Sequence, residues 1–266
     1  MTTIITRENL AAGVAGILTV TQSELDFYNR PETRAWWGTG NSPDTIHGDL
    51  LALEQSWLDR KGRIVASAVD STPAPSFVAG VLVGPIGTDT ASLITADGLD
   101  IIDPSRDFTL WCLSRDGTGS SPVPICLIGD DGGSLSIRHR DSLVQVVTYN
   151  SAEAASTVLS DTVLVGSDQW RLIELCYSAA TTTLGIYIDG SATPARENTS
   201  WTTLTNMTGG VSLMGTYDRT DGKYNYNQDL RIAEAGVAQV YAPLSDWRGA
   251  LHDMITELHS DKVTLV

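Results

Sequence analysis

From about Phe108 to Tyr241 the apolar residues recur at every second position, and this alternation constrains the fold more than any other feature of the chain. A strand turns successive side chains to opposite faces, so a period of two marks a half-buried strand, whereas a helix needs steps of three and four. Phe108, Leu110 and Cys112 alternate with Thr109, Trp111 and Leu113; Leu135, Ile137 and His139 alternate with Ser136, Arg138 and Arg140. Val144, Val146 and Thr148 follow, then Leu184, Ile186 and Ile188, then Val211 and Leu213, then Val237, Gln239 and Tyr241. Leu172 to Tyr177 is apolar on both faces except at Glu174, as expected of a central strand. Asp189-Gly190 tolerates positive φ and suits a tight hairpin. No strand–helix–strand alternation occurs, so the expected fold is mainly β, an antiparallel β-sandwich.

The two ends read differently. Residues 1–70 are expected to form a mostly helical attachment segment and residues 71–266 the sandwich domain, with 71–80 as a linker or a stiff edge. Arg7 to Val20 reads as a short helix, and Thr21 and Glu24 have capping-box spacing before Leu25, Phe27 and Tyr28. The glycines of Trp36 to Ser42 predict a loop. Pro43 then opens a helix in which Ile46, Leu50, Leu53 and Trp57 share one face and which Gly62 ends. Near the C-terminus, Ser245 is an N-cap for a helix whose stripe is Trp247, Leu251, Met254 and Leu258.

Four segments resemble, in the same order, the laminin-G-like branch of the concanavalin-A-like lectin/glucanase superfamily. They are Phe108-Thr109-Leu110-Trp111-Cys112, the stretch Ser167 to Leu175 around Trp170, Leu184-Gly185-Ile186-Tyr187-Ile188-Asp189-Gly190, and Val237 to Asp246. Arg171 stands where that family often has histidine. The resemblance covers roughly residues 80 to 258 and implies a concanavalin-A-like jelly roll. Such sandwiches are often carried by phage decoration proteins, fibres and tail components. It therefore implies a non-catalytic structural or adhesion protein of a virus particle, located in the virion, with other virion proteins and copies of itself as partners and a trimer as the expected oligomer. The alternative is a carbohydrate-binding lectin with a cell-surface glycan as partner, and a glycan-cleaving enzyme ranks third.

Charge and motif content bear on these classes. Seventeen Lys and Arg against 32 Asp and Glu leave a formal charge of −15, which repels nucleic-acid phosphates and anionic lipid. No apolar run approaches the roughly 18 residues of a spanning helix, and Leu10 to Val20 lacks a basic leader, so neither membrane insertion nor a secretion signal is expected. Cys112, Cys126 and Cys176 read as buried thiols, with a 112–126 bridge as the alternative. The E-x-D-x-x-E strand of superfamily glucanases is absent, and Glu174, with no second carboxylate in short range after it, reads as a strand-face residue. No G-x-S-x-G elbow, Walker loop or G-x-G-x-x-G occurs, and His47, His139, His252 and His259 are scattered. No catalytic residue and no cofactor other than calcium is therefore expected.

The polar segment Tyr217 to Asp229 concentrates Tyr, Asn and Asp. Tyr217, Tyr224, Asn225, Tyr226 and Asn227 could supply the aromatic plate and planar amides of a sugar site. Asp218, Asp221 and Asp229 could hold calcium. A solvated or intersubunit loop is the plain alternative, and Asp130-Asp131-Gly132-Gly133 reads as an acidic hairpin turn. Trp36, Trp37 and Trp57 are candidates for a partner contact or for packing against the sandwich.

Overall fold

The structure is a computed structural model that describes residues 2–3, 19–38, 56–61, 64–68, 75–78, 81–84, 92–96, 99–116, 122–129, 134–140, 143–149, 155–160, 169–201, 207–218, 222–224 and 229–266. Strands β1 (Thr2–Thr3) and β2 (Thr19–Val20) pair with each other. Helix α1 (Gln22–Tyr28) is followed by β3 (Thr33–Gly38), β4 (Ser56–Leu58), β5 (Val65–Ala68), β6 (Ser76–Val78), β7 (Val81–Val83) and β8 (Leu93–Thr95). Longer strands come next: β9 (Phe108–Arg115), β10 (Ile125–Gly129), β11 (Ser134–Arg140), β12 (Leu143–Tyr149) and β13 (Ala155–Ser160). The remainder are β14 (Trp170–Ser178), β15 (Thr183–Ile188), β16 (Arg196–Asn198), β17 (Met207–Leu213), β18 (Thr216–Asp218), β19 (Gly222–Tyr224) and β20 (Arg231–Ala238). A 3-10 turn, Ala242–Leu244, leads into helix α2 (Asp246–His259).

Two sheets form the expected antiparallel sandwich. One runs β13-β12-β11-β10-β17-β8-β5-β4, and the other runs β16-β15-β14-β9-β20-β7-β6. Strand β3 shares the second edge of β20 with β7. Among the described residues the one parallel bridge joins Gly129 of β10 to Asp218 of β18.

The helices add a third layer. Phe108, Leu110, Ile173, Leu175, Ile232 and Val237 point between the sheets. Trp111, Leu113, Leu172, Cys176 and Ala233, on the opposite faces of the same strands, pack against Phe27, Trp247, Leu251, Met254 and Ile255 of the helices. Strands β9, β14 and β20 are therefore buried on both faces, which is why their sequences are apolar almost without a break. Phe27 anchors α1 against three indoles, with ring centroids 5.1 Å from Trp36, 5.7 Å from Trp111 and 5.5 Å from Trp247.

Both helix starts are set by the residues expected to set them. Thr21 Oγ1 accepts from Glu24 N at 3.2 Å, while Glu24 Oε2 accepts from Thr21 N at 2.9 Å, completing the capping box. Ser245 Oγ accepts from Trp247 N at 3.1 Å, and Trp247, Leu251, Met254 and Leu258 are all buried.

Several expectations need correction. Trp36, Trp37 and Gly38 lie in strand β3, with Trp36 in register with Gly236 of β20. Gly38 serves a close approach here, because a Cβ at this position would overlap the buried Glu234 carboxylate. Trp57 sits in strand β4 opposite Ala66, so its helical spacing from Ile46, Leu50 and Leu53 is coincidental. Those three residues lie outside the described ones. So does most of Arg7 to Val20, whose last two residues form β2.

Strands β3, β4 and β5 place parts of residues 33–68 in the two sheets, and the 71–80 stretch contains edge strand β6. Asp189 and Gly190 take φ of 52° and 81°, as expected, but the chain then loops to β16 at Arg196 and makes no two-residue hairpin. Strand β20 stops at Ala238, where the Gln239 amide turns instead to Asp103 N and to the Asp103 and Asp107 carbonyls. All three cysteines are free and buried, with no 112–126 bridge, and burial pushes the Cys112 thiol up to about 12.

Candidate binding site

The most deeply buried charges lie beneath α2. On β14, Glu174 faces away from the inter-sheet core and is fully buried. Arg248 of α2 grips it through Nε at 2.9 Å and Nη2 at 2.8 Å, and His252 lies 3.2 Å away. The Arg248 guanidinium also stacks 4.9 Å from the Tyr187 ring and donates to Ser191 O at 2.8 Å. On β20, Glu234 accepts from Trp36 Nε1 at 2.6 Å and meets His259 Nε2 at 2.8 Å. Burial alone would raise both carboxyls. The hydrogen bonds and charges of His252 and Arg248 at Glu174, and of His259, Arg60 and Trp36 at Glu234, hold both below the ordinary carboxylate value.

Glu174 and Glu234 lie on strands separated by β9, opposite Trp111 and Leu113 respectively, and side chains of α2 cover both. A pair of acids can work on a glycosidic bond only if the sugar can enter between them. Here Arg248, His252 and His259 of α2 fill that position, so the arrangement fastens α2 to the sheet.

The polar segment expected to bind sugar or calcium is partly a hairpin. Tyr217 and Asp218 lie in β18 and Tyr224 in β19, with Tyr217 in register with Lys223 and Asp218 with Gly222. The parallel bridge sets β18 of this hairpin beside Gly129 at the end of β10, and Asp130-Asp131-Gly132-Gly133 lies outside the described residues. Asp221, Asn225, Tyr226 and Asn227 lie outside the described residues. Asp229 takes φ 53°, and its Oδ1 lies 3.6 Å from the Arg231 guanidinium, so a cation already stands beside this calcium candidate. Among the described residues no group of three or more His, Cys, Asp or Glu could hold a metal ion.

Trp36, Trp37 and Trp57 are 1% exposed or less. They pack within the chain and present no surface to a partner. Trp37 Nε1 donates to Trp57 O at 3.2 Å, and Arg60 stacks 4.4 Å from the Trp36 ring.

The one tryptophan of seven that is not buried is Trp170, at the start of β14. It borders a shallow recess of about 320 Å³ with Gln169, Arg171, Asp189, Lys262 and Thr264. Lys262 Nζ lies 6.0 Å from the indole centroid. Arg171 pairs with Asp189 and donates to Gln169 Oε1 at 2.8 Å. Burial lifts the Asp189 carboxyl above the ordinary carboxylate value, against the pull of Arg171 and of Leu172 N at 3.0 Å. The C-terminal tail forms the other wall: Lys262 N donates to His259 O at 2.9 Å, and Val266 N to Asp189 O at 2.9 Å. The sequence points to Trp170 only as a strand start; its pairing with Lys262 is long-range and leaves no local pattern.

Two other recesses lack an aromatic wall. One of about 330 Å³ is lined by Arg34, Asp100, Asp103 and Gln239. The other, about 900 Å³ between α1 and α2, carries Asp26, Asp246, Asp253 and Glu257.

No protein-family model matches the chain, and no curated protein matches it in sequence. Solved structures do. The binding domain of botulinum neurotoxin DC in complex with rat synaptotagmin II superposes with a TM-score of 0.55 at 10% identity, over 86% of this chain and 52% of that one. The botulinum neurotoxin serotype D ligand binding domain in complex with N-acetylneuraminic acid gives 0.53 at 9%, over 85% and 51%. The botulinum neurotoxin type G receptor binding domain gives 0.51 at 8%, over 85% and 51%. At such identities the shared property is the fold, and the chain spans about half the length of these structures.

Proposed function

We propose that the chain is a non-catalytic binding module that attaches to its target by recognising carbohydrate. One observation carries this reading: the described surface offers a shallow polar recess walled by the one partly exposed tryptophan, while the two buried carboxylates under α2 are engaged by Arg248 and His259 of that helix. An aromatic plate beside planar polar groups is the chemistry of sugar recognition. The comparisons add support at the level of fold, since the matching structures are receptor- and ligand-binding domains, one of them holding N-acetylneuraminic acid. A lectin of this kind would serve equally on a virus particle, as a decoration, tail or fibre component in homo-oligomeric form. That placement rests on fold-level analogy, and none of the comparisons points to a virion.

The test is a glycan array probed with the purified chain, with and without a calcium chelator. Retention of a defined glycan class is the expected result, and retention unaffected by chelation would exclude calcium from binding. An array without any specific retention would overturn the reading in favour of a scaffold. Turnover of a polysaccharide that disappears in Glu174→Gln would overturn it in favour of an enzyme.

A further inference from the structure

We propose that the recess beside Trp170 takes one carboxylate-bearing sugar ring, so that the ligand class is acidic sugars; this rests on the binding reading above. Six of the seven tryptophans are 6% exposed or less, because leaving an indole in water forfeits the gain of burying it. Trp170 departs from that pattern at a place where the surface is concave and lined by Arg171 and Lys262. A sugar presents an apolar C–H face that stacks on such a ring and hydroxyls that demand planar donors and acceptors. The Gln169 amide and the Asp189 carboxylate stand at the same rim.

The cations select the class. The chain carries −15 overall, so its general field disfavours an anionic ligand. Lys262 Nζ, 6.0 Å from the indole centroid, supplies the positive charge nearest the ring; its own partner is the exposed Asp261 carboxylate at 3.1 Å, while Arg171 is paired with Asp189 at the rim. The Arg171 Nε–H is buried without an acceptor, although Nη1 and Nη2 are engaged by Asp189 and Gln169. A carboxylate stacked beside the indole would take a charge-assisted bond from Lys262 Nζ in place of the exposed Asp261. A volume of about 320 Å³ is at the small end of ligand pockets and suits one ring. The walls are tied before any ligand arrives: Asp189 binds Leu172 N and Val266 N, and Arg171 is held at both ends of its fork. Little ordering entropy remains to oppose binding.

Acrylamide quenching of intrinsic fluorescence reads this recess selectively, because Trp170 is the one accessible indole. N-acetylneuraminic acid and glucuronic acid are titrated into the full chain, with galactose as the neutral control, and Lys262→Glu and Lys262→Arg are carried alongside. Lys262 lies outside every sheet and helix, so both variants should fold. Both acids should protect Trp170, Lys262→Glu should weaken them about tenfold or more, and Lys262→Arg should bind within a few-fold of the parent. Acid binding that leaves quenching and Lys262→Glu unaffected would place the site elsewhere, overturning this inference and leaving the binding reading intact. Galactose binding as tightly as the acids would overturn the assigned class. A chain that retains no glycan on the array and shows no protection would overturn both.

Discussion

Arg248→Met isolates what fastens α2 to the sandwich. Arg248 gives two hydrogen bonds to a carboxylate with no exposed surface and stacks on Tyr187. Removing it leaves Glu174 with His252 alone at 3.2 Å. Breaking a buried ion pair from one side costs about 3–5 kcal/mol, and loss of the cation–π contact adds about 1 kcal/mol. Against a stability of order 5–15 kcal/mol this is a large fraction. The paired replacement Glu174→Leu with Arg248→Met removes both charges together and should fall within about 1–2 kcal/mol of the parent, because desolvation of the pair is relieved along with its attraction. Urea unfolding followed by tryptophan fluorescence measures both, since Trp247 and Trp111 report the α2 interface directly. A single variant costing less than about 1 kcal/mol, or a double variant as unstable as the single, would refute the role given to this ion pair. The consequence reaches the recess, because the tail bearing Lys262 is tied to the end of α2 at His259.

Further perturbations address other parts of the structure. Burial holds the His139 imidazole at about 4, against 6.5 when exposed, and Ser114 Oγ lies 2.9 Å from its Nε2. The unfolded chain therefore binds this proton first, so stability is full above about pH 6.5 and falls by up to about 3 kcal/mol as the pH drops to 4. In His139→Gln, urea midpoints across that window should be flatter than in the parent. Gly209 has φ 115°, and a Cβ there would overlap the Ile102 carbonyl oxygen. Gly209→Ala should accordingly lose about 2 kcal/mol or more by the same assay, through strain and steric overlap together. Ser245→Ala removes the N-cap of α2 and should cost about 1 kcal/mol. All three thiols are buried, so a thiol reagent should modify none of them in the native chain and all of them in urea.

The strands of the sandwich were legible where the residue types alternate, as in β11, where Leu135 and Ile137 line the inter-sheet core and Ser136 and Arg138 take the other, also buried, face. Caps were equally legible, because Thr21, Glu24 and Ser245 act on backbone groups within three residues of themselves. Local signals misled where the reason was tertiary. Gly38 looks like a loop glycine but makes room for Glu234, which lies far along the chain. Trp57 fits a helical spacing by chance while its partner Ala66 lies across a hairpin. Tyr217 to Asp229 reads as a polar loop, yet Tyr217 and Asp218 of β18 pair with Lys223 and Gly222 of β19. The recess could not be read at all, because Trp170, Asp189 and Lys262 come from a strand, a turn and the tail, and only the closed fold brings them together.

Native mass spectrometry of the full chain with a sialylated and a uronate-bearing oligosaccharide tests most directly whether this sandwich is a binding module. It reports retention of the ligand and its intactness in one spectrum. The account predicts a complex whose mass is the chain plus the whole oligosaccharide, with the same oligosaccharide mass released on denaturation. Unliganded chain alone at every concentration, or released fragments shorter than the sugar supplied, would contradict it.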